Sequence, residues 1–134
     1  MDIFDASSLL ALIRKEKGAG VIRDRLIRAE KEHDSAFIHH VNYIETVYCC
    51  LKKYGEARTD CIIGDLKTPF LGIVNYMDAD LAHYSATLKS TYDLSLGDSV
   101  GLAFTKIMNG KFWTKDKALV PVAGKEKIDL FFVK

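Results

Sequence analysis

Apolar positions along this chain fall into two rhythms. Five short runs are dense in apolar, β-branched or aromatic residues: 2–5 (DIFD), 35–39 (SAFIH), 70–74 (FLGIV), 111–114 (KFWT) and 128–133 (IDLFFV). They are too short for helices and predict strands. Between them, apolar residues recur every three or four positions, the helical spacing. Leu9, Leu10, Leu12 and Ile13 follow the first run, and Gly18 and Gly20 predict a break before an Arg- and Glu-rich helix over 21–32. From Asn42, the positions Ile44, Val47, Tyr48 and Leu51 mark one apolar helical face that stops at Gly55. A helix over 56–67 is expected to end at Pro69. Leu81, Ser85, Leu88 and Tyr92 pattern a helix over 78–92, and Ser95 opens another with Val100, Ala103, Phe104 and Ile107 on one face.

Strands alternating with helices predict a parallel sheet covered by helices on both faces, an α/β sandwich. The 134 residues show no repeat and no linker, so one domain over 1–134 is expected. Apolar residues make up 49% and prolines number two, which excludes a disordered or low-complexity chain. No apolar run approaches the roughly 20 residues that span a bilayer. The start, MDIFDASSLL, carries two acids and no basic stretch, unlike a signal peptide. A cytoplasmic protein without a membrane partner is expected. Cys49 and Cys50 are adjacent on a predicted helix and Cys61 lies on the next, with no CxxC spacing. Buried, reduced thiols are the expectation, not zinc ligands.

Charge is nearly balanced, with 19 basic and 18 acidic residues. Binding to nucleic acid through charge alone is therefore excluded. Arg14, Lys15, Lys17, Arg23, Arg25 and Arg28 cluster, either as a solvated helical face or as a surface that steers phosphates.

Four acids change this picture by position. Asp5 ends the first predicted strand, and Asp116 lies two residues after the fourth. Glu45 and Asp98 fall in the first turns of predicted helices aimed at the same rim. In open parallel sheets ligands bind beyond the carboxyl ends of the strands, near a switch in strand order. Gathered carboxylates repel one another and raise one another's pKa unless a cation neutralises them. A hard divalent ion with oxygen ligands, Mg²⁺ or Mn²⁺, suits such a site. It can lower the pKa of a bound water and neutralise charge on a phosphoryl group; two ions could clamp both attacking and leaving oxygens. Each acid also has a structural explanation. Asn42-x-x-Glu45 and Ser95-x-x-Asp98 both look like capping boxes, and Asp116 sits in a polar turn.

The order Asp5-Ala-Ser-Ser-Leu-Leu, Asn42-Tyr-Ile-Glu45, Leu94-Ser-Leu-Gly-Asp98 and Trp113-Thr-Lys-Asp116 resembles the PIN-domain pattern over the whole chain. It is most similar to the short endoribonuclease toxins of VapBC toxin–antitoxin pairs. The resemblance implies a three-layer α/β/α sandwich with a 3-2-1-4-5 parallel sheet, and Mg²⁺- or Mn²⁺-dependent hydrolysis of RNA. It also implies a homodimer held by a small antitoxin. Asp5, Glu45, Asp98 and Asp116 would be the catalytic metal-binding acids, with Ser7 and Thr114 orienting carboxylates or water behind them. Trp113 is bulkier than the aliphatic residue usual before the Thr.

His39 and His40 precede Glu45 and are expected at the rim or surface; His33 and His83 show no ligand spacing. Asp78 and Asp80 look like caps. Tyr43, Tyr48, Tyr76, Tyr84 and Tyr92 suit core or dimer contacts, or stacking surfaces for bases. Two other classes compete with a nuclease. One is a non-catalytic PIN-like module that binds RNA or protein. The other is a phosphoacceptor receiver domain, which needs an Asp closing the third strand, where this chain has Asn75-Tyr76.

Overall fold

The computed structural model describes residues 1–33, 35–66 and 71–134. In chain order the elements are β1 (Asp2–Phe4), α1 (Ala6–Ile13), α2 (Ala19–Glu32), β2 (Ala36–His39), α3 (His40–Tyr54) and α4 (Glu56–Leu66). They continue with β3 (Gly72–Val74), α5 (Ala79–Tyr92), α6 (Leu96–Ile107), β4 (Lys111–Thr114), α7 (Leu119–Glu126) and β5 (Asp129–Phe132). The strands form one parallel sheet in the order β3-β2-β1-β4-β5.

Alternation along the strands divides the core into two layers. Ile3 and Phe112, paired across β1 and β4, face Leu81, Leu88, Leu102 and Leu119 of α5, α6 and α7. Their neighbours Phe4 and Trp113 face the opposite way, onto Leu9 of α1 and Ile22 and Leu26 of α2. The order reverses at β1, whose chain continues to β2 on one side while β4 lies on the other. The carboxyl ends of β1 and β4 therefore flank the switch point where such sheets bind ligands.

Several boundaries and faces differ from the sequence pattern. Gly18 alone breaks the chain, as the cap of α2 at φ +94°, while Gly20 lies inside that helix. The helix α7 was hidden by Pro121 and Gly124. Proline is tolerated in a first turn, where backbone N–H groups have no partner to lose, and Leu119, Val122 and Ala123 form its buried stripe. The predicted stop at Pro69 and the start of the third strand at Phe70 lie outside the described residues.

The largest reversal is on α3. Its apolar stripe faces out, with Ile44, Tyr48 and Leu51 exposed, and its buried side is Asn42, Thr46 and Cys50. Periodicity located the helix correctly but assigned its faces wrongly, because the inward positions carry polar groups whose hydrogen bonds are satisfied. Thr46 Oγ1 donates to the Asn42 carbonyl at 2.8 Å, and the Asn42 amide is bonded across to α6.

Arg25 is buried and pairs with Asp2, so it belongs neither to a solvated face nor to a phosphate-steering one. Of the thiols, Cys50 is buried, Cys49 half-buried and Cys61 exposed; all are free. The exposure of Cys61 departs from the expectation. Among the described residues no helix is long and apolar enough to cross a membrane.

Tyr84 and Tyr92 of α5 donate to the two carboxylate oxygens of Glu126 at 2.9 and 2.7 Å, which ties the end of α7 to α5. Burial and the Glu126 carboxylate push the Tyr84 hydroxyl up to about 12, so it stays a donor through the physiological range. Glu126→Ala leaves both hydroxyls without this acceptor. Hydrogen bonds to a charged group at a partly exposed site predict a loss of about 1–2 kcal/mol, read as a lower urea midpoint at unchanged m-value.

Candidate active site

Asp5 follows β1 directly and is the N-cap of α1, one residue beyond the strand it was expected to end. Its carboxylate accepts from the Ser8 backbone N–H at 2.8 Å, from Ser7 Oγ at 2.7 Å and from Thr114 Oγ1 at 2.5 Å. It is 2% exposed. Burial raises its pKa, and the bonds from Thr114, Ser7 and Ser8 pull the other way. The short polar run Ala-Ser-Ser is what permits this. Small residues let β1 turn straight into α1, with the Ser7 hydroxyl and the Ser8 backbone N–H pointing back at the carboxylate. The sequence pattern missed Ser8, whose Oγ donates to the Trp113 carbonyl at 2.8 Å and ties α1 to β4.

The two polar residues beside the acids act as couplers. Thr114 Oγ1 donates to Asp5 and accepts the backbone N–H of Asp116 at 3.0 Å. Ser7 Oγ donates to Asp5 and accepts the backbone N–H of Lys115 at 2.9 Å. The turn after β4 is thereby fixed to the end of β1, and Asp116 is carried to the rim. One Asp116 oxygen also accepts the Ala118 N–H at 2.9 Å, so the acid holds its own turn as well as facing the cleft.

Glu45 and Asp98 come from α3 and α6. Asp98 is in the first turn of α6, and its backbone N–H donates to the Ser95 cap at 3.1 Å, as the spacing predicted. Glu45 is not in a first turn. The helix starts at His40, capped by His39, whose Nδ1 accepts the Val41 N–H at 3.2 Å. That leaves Nε2 to donate to the Tyr76 carbonyl at 2.8 Å. His39 is buried, not at the rim, and burial lowers its pKa. His40 is exposed.

Asn42 is consequently no cap. It lies on the buried side of α3, and its Nδ2 donates to the Gly97 carbonyl at 3.1 Å. A Cβ at Gly97 would stand 2.9 Å from Asn42 Oδ1, and one at Gly101 would stand 2.6 Å from Phe112 and 3.0 Å from Asn42 Nδ2. The two glycines, one turn apart, form a slot for this amide, which sets the approach of the helices carrying Glu45 and Asp98.

All four acids line one cleft of about 520 Å³, together with Ser7, Asn42, Ser95, Gly97 and the apolar Ala6, Val41, Ile44 and Leu96. Among the described residues that line it, none is Lys, Arg or His. The electrostatic result is visible at Asp98, whose carboxyl is pushed up to about 6. Burial is the main cause, followed by Asp5; Asp116 and Glu45 add to it. Among the described residues no three His, Cys, Asp or Glu side chains converge closely enough to ligate an ion directly. The donor set nonetheless suits a hard cation that keeps several waters and takes only one or two carboxylates directly. Glu45 and Asp116 are exposed.

Two measurements check this geometry. A carboxyl raised from 3.8 to about 6 favours the fold when protonated, and that contribution is lost as pH rises through about 6. In chelator, Asp98→Asn should therefore melt above the wild type at pH 7.5, with the gap closing toward pH 4. A wild type that matches or exceeds the variant at pH 7.5 refutes the crowding of negative charge. Gly101→Ala should cost about 1–3 kcal/mol in chemical denaturation, through overpacking against Phe112 and Asn42.

Comparison with known proteins agrees with this architecture. A search of curated proteins gives no match. Among solved structures the chain is similar to a toxin–antitoxin complex from Klebsiella pneumoniae, at 20% identity and a TM-score of 0.64, covering 100% of this chain and 98% of the other. It is also similar to VapBC2 from Rickettsia felis bound to a DNA fragment from its promoter, at 12% identity and a TM-score of 0.76. DNA-bound VapBC from Salmonella typhimurium gives 13% identity and a TM-score of 0.74. Each of the last two matches covers 99% of this chain and 98% of the other. At these identities the likeness is one of fold. The PIN domain model matches residues 3–125, and the chain belongs to the PIN-domain family.

Proposed function

We propose that this protein is a metal-dependent endoribonuclease that hydrolyses RNA phosphodiester bonds, and that it is the toxin of a toxin–antitoxin pair. The observation that carries the proposal is the cleft itself: four carboxylates at the switch point of a parallel sheet, with no cationic side chain among its described lining residues. A site built only of negative charge is unfavourable for its own sake and calls for a cation from solution. Asp5, Glu45, Asp98 and Asp116 would hold Mg²⁺ or Mn²⁺. When bound, such an ion supplies a water of lowered pKa and neutralises charge on the phosphoryl oxygens.

The chain's own residues contribute position and charge. Asp5 is immobilised through its bonds to α1 and β4, so its free lone pairs point from a fixed place. Burial and the neighbouring acids raise the Asp98 carboxyl to about 6, a penalty that a bound cation would relieve. Glu45 and Asp116, both exposed, orient water or the leaving group at the mouth of the cleft. Ser7 and Thr114 keep the acids aligned without entering the reaction. The VapBC and toxin–antitoxin assemblies among the fold's neighbours support an antitoxin as partner; a homodimer of this chain is part of the same proposal. A non-catalytic binding module has one observation in its favour, the wide spacing of the carboxylates.

The experiment is RNA cleavage by purified protein in chelator, then with Mg²⁺ or Mn²⁺ restored, followed by sequencing of the new RNA ends. Cleavage is expected only with the ion. Asp5→Asn and Asp98→Asn should each reduce it by about two orders of magnitude or more. Mn²⁺ should raise the melting temperature of the wild type more than that of Asp98→Asn. Full activity of either variant in chelator sinks the metal mechanism. RNA binding without cleavage across many substrates favours the binding module.

A further inference from the structure

The two most exposed large aliphatic side chains among the described residues both stand at the acidic cleft. Ile44 is 60% exposed and Leu96 59%, and both line the pocket with the four acids. They come from different helices. Ile44 immediately precedes Glu45 on α3, and Leu96 opens α6 two residues before Asp98. Neither belongs to any of the three hydrophobic clusters of the core. Burial of these side chains therefore does little to hold the fold together, and each keeps apolar surface in water beside ionisable groups.

We propose that Ile44 and Leu96 are the two lips of a nucleobase subsite, which receives an unpaired base of the nucleotide whose phosphate faces the carboxylates. The proposal rests on the nuclease reading above. A phosphodiester that reaches the acids brings its base and ribose within one nucleotide's length of both lips. Aliphatic faces contact the π-face of any base and offer no hydrogen bonds, so they select for an unstacked base and not for its identity. An apolar protein side chain seated there would strip water from four carboxylates, and its chain would have to bring cationic groups to offset that, whereas RNA at a metal-loaded site arrives with the cations already in place.

The test couples the protein to the substrate. A single-stranded RNA oligonucleotide containing a mapped cleavage site is prepared intact and with an abasic residue on either side of the cut. Wild type, Ile44→Ser, Leu96→Ser and the double variant are compared on these RNAs. The wild type should lose about fivefold in kcat/KM on one abasic substrate, mostly through KM, as expected for the apolar contact of one base face. The double variant should lose a similar factor on the intact RNA and show no further loss on the abasic one. Retention of the Mn²⁺-induced melting shift shows that the acid site survives, and the single variants carry the same comparison if the double variant does not fold. An abasic penalty equal in wild type and variants overturns the subsite. So does a variant with unchanged KM whose only defect is a lower mass by light scattering, which makes the lips an interface between copies. Absence of cleavage by the wild type defeats the nuclease reading itself and is recognised before any variant is compared.

Discussion

Everything at the cleft depends on how the buried carboxylate of Asp5 is accommodated. A carboxyl at the end of a central strand is costly to ionise, and this one is surrounded by donors from two separate parts of the chain. Ser7 and Ser8 come from the turn that follows it, and Thr114 comes from the neighbouring strand more than a hundred residues later. The Ser7 and Thr114 hydroxyls also accept the backbone N–H groups of Lys115 and Asp116, so the ends of β1 and β4 are locked at one height. Strand pairing brings the two ends together, and the hydrogen bonds about Asp5 fix the junction.

Around this fixed acid the other three are more exposed. Asp98 is half-buried at a helix start, Asp116 sits on a self-bonded turn, and Glu45 extends from an exposed position on α3. Asp5 is held by donors from two parts of the chain, while the other three acids keep more contact with solvent. The cost is electrostatic crowding, registered mainly at Asp98.

Much of this was legible in the sequence. The five strands, the parallel sheet and the positions of Asp5, Asp98 and Asp116 follow from short apolar runs, turn residues and the rule that ligands gather beyond strand ends. What was not legible has specific physical causes. The helix α7 carries Pro121 and Gly124, breakers that a first turn and a helix end tolerate. The start of α3 was masked because histidine is an uncommon cap, and the bond from the Val41 N–H to the His39 ring is visible only in three dimensions. The faces of α3 were inverted because polarity predicts exposure only when polar groups lack internal partners. Asn42 and Thr46 have theirs, while Ile44, Tyr48 and Leu51 face solvent.

The slot formed by Gly97 and Gly101 has a consequence for how this cleft can change over generations. Asn42, Gly97, Gly101 and Phe112 occupy one another's space so closely that no one of them can grow alone. A side chain at 101 becomes acceptable only after residue 42 or 112 has become smaller, so the order of substitutions matters as much as their sum. The spacing between α3 and α6 is inherited as one unit, and drift at these four positions should therefore be correlated.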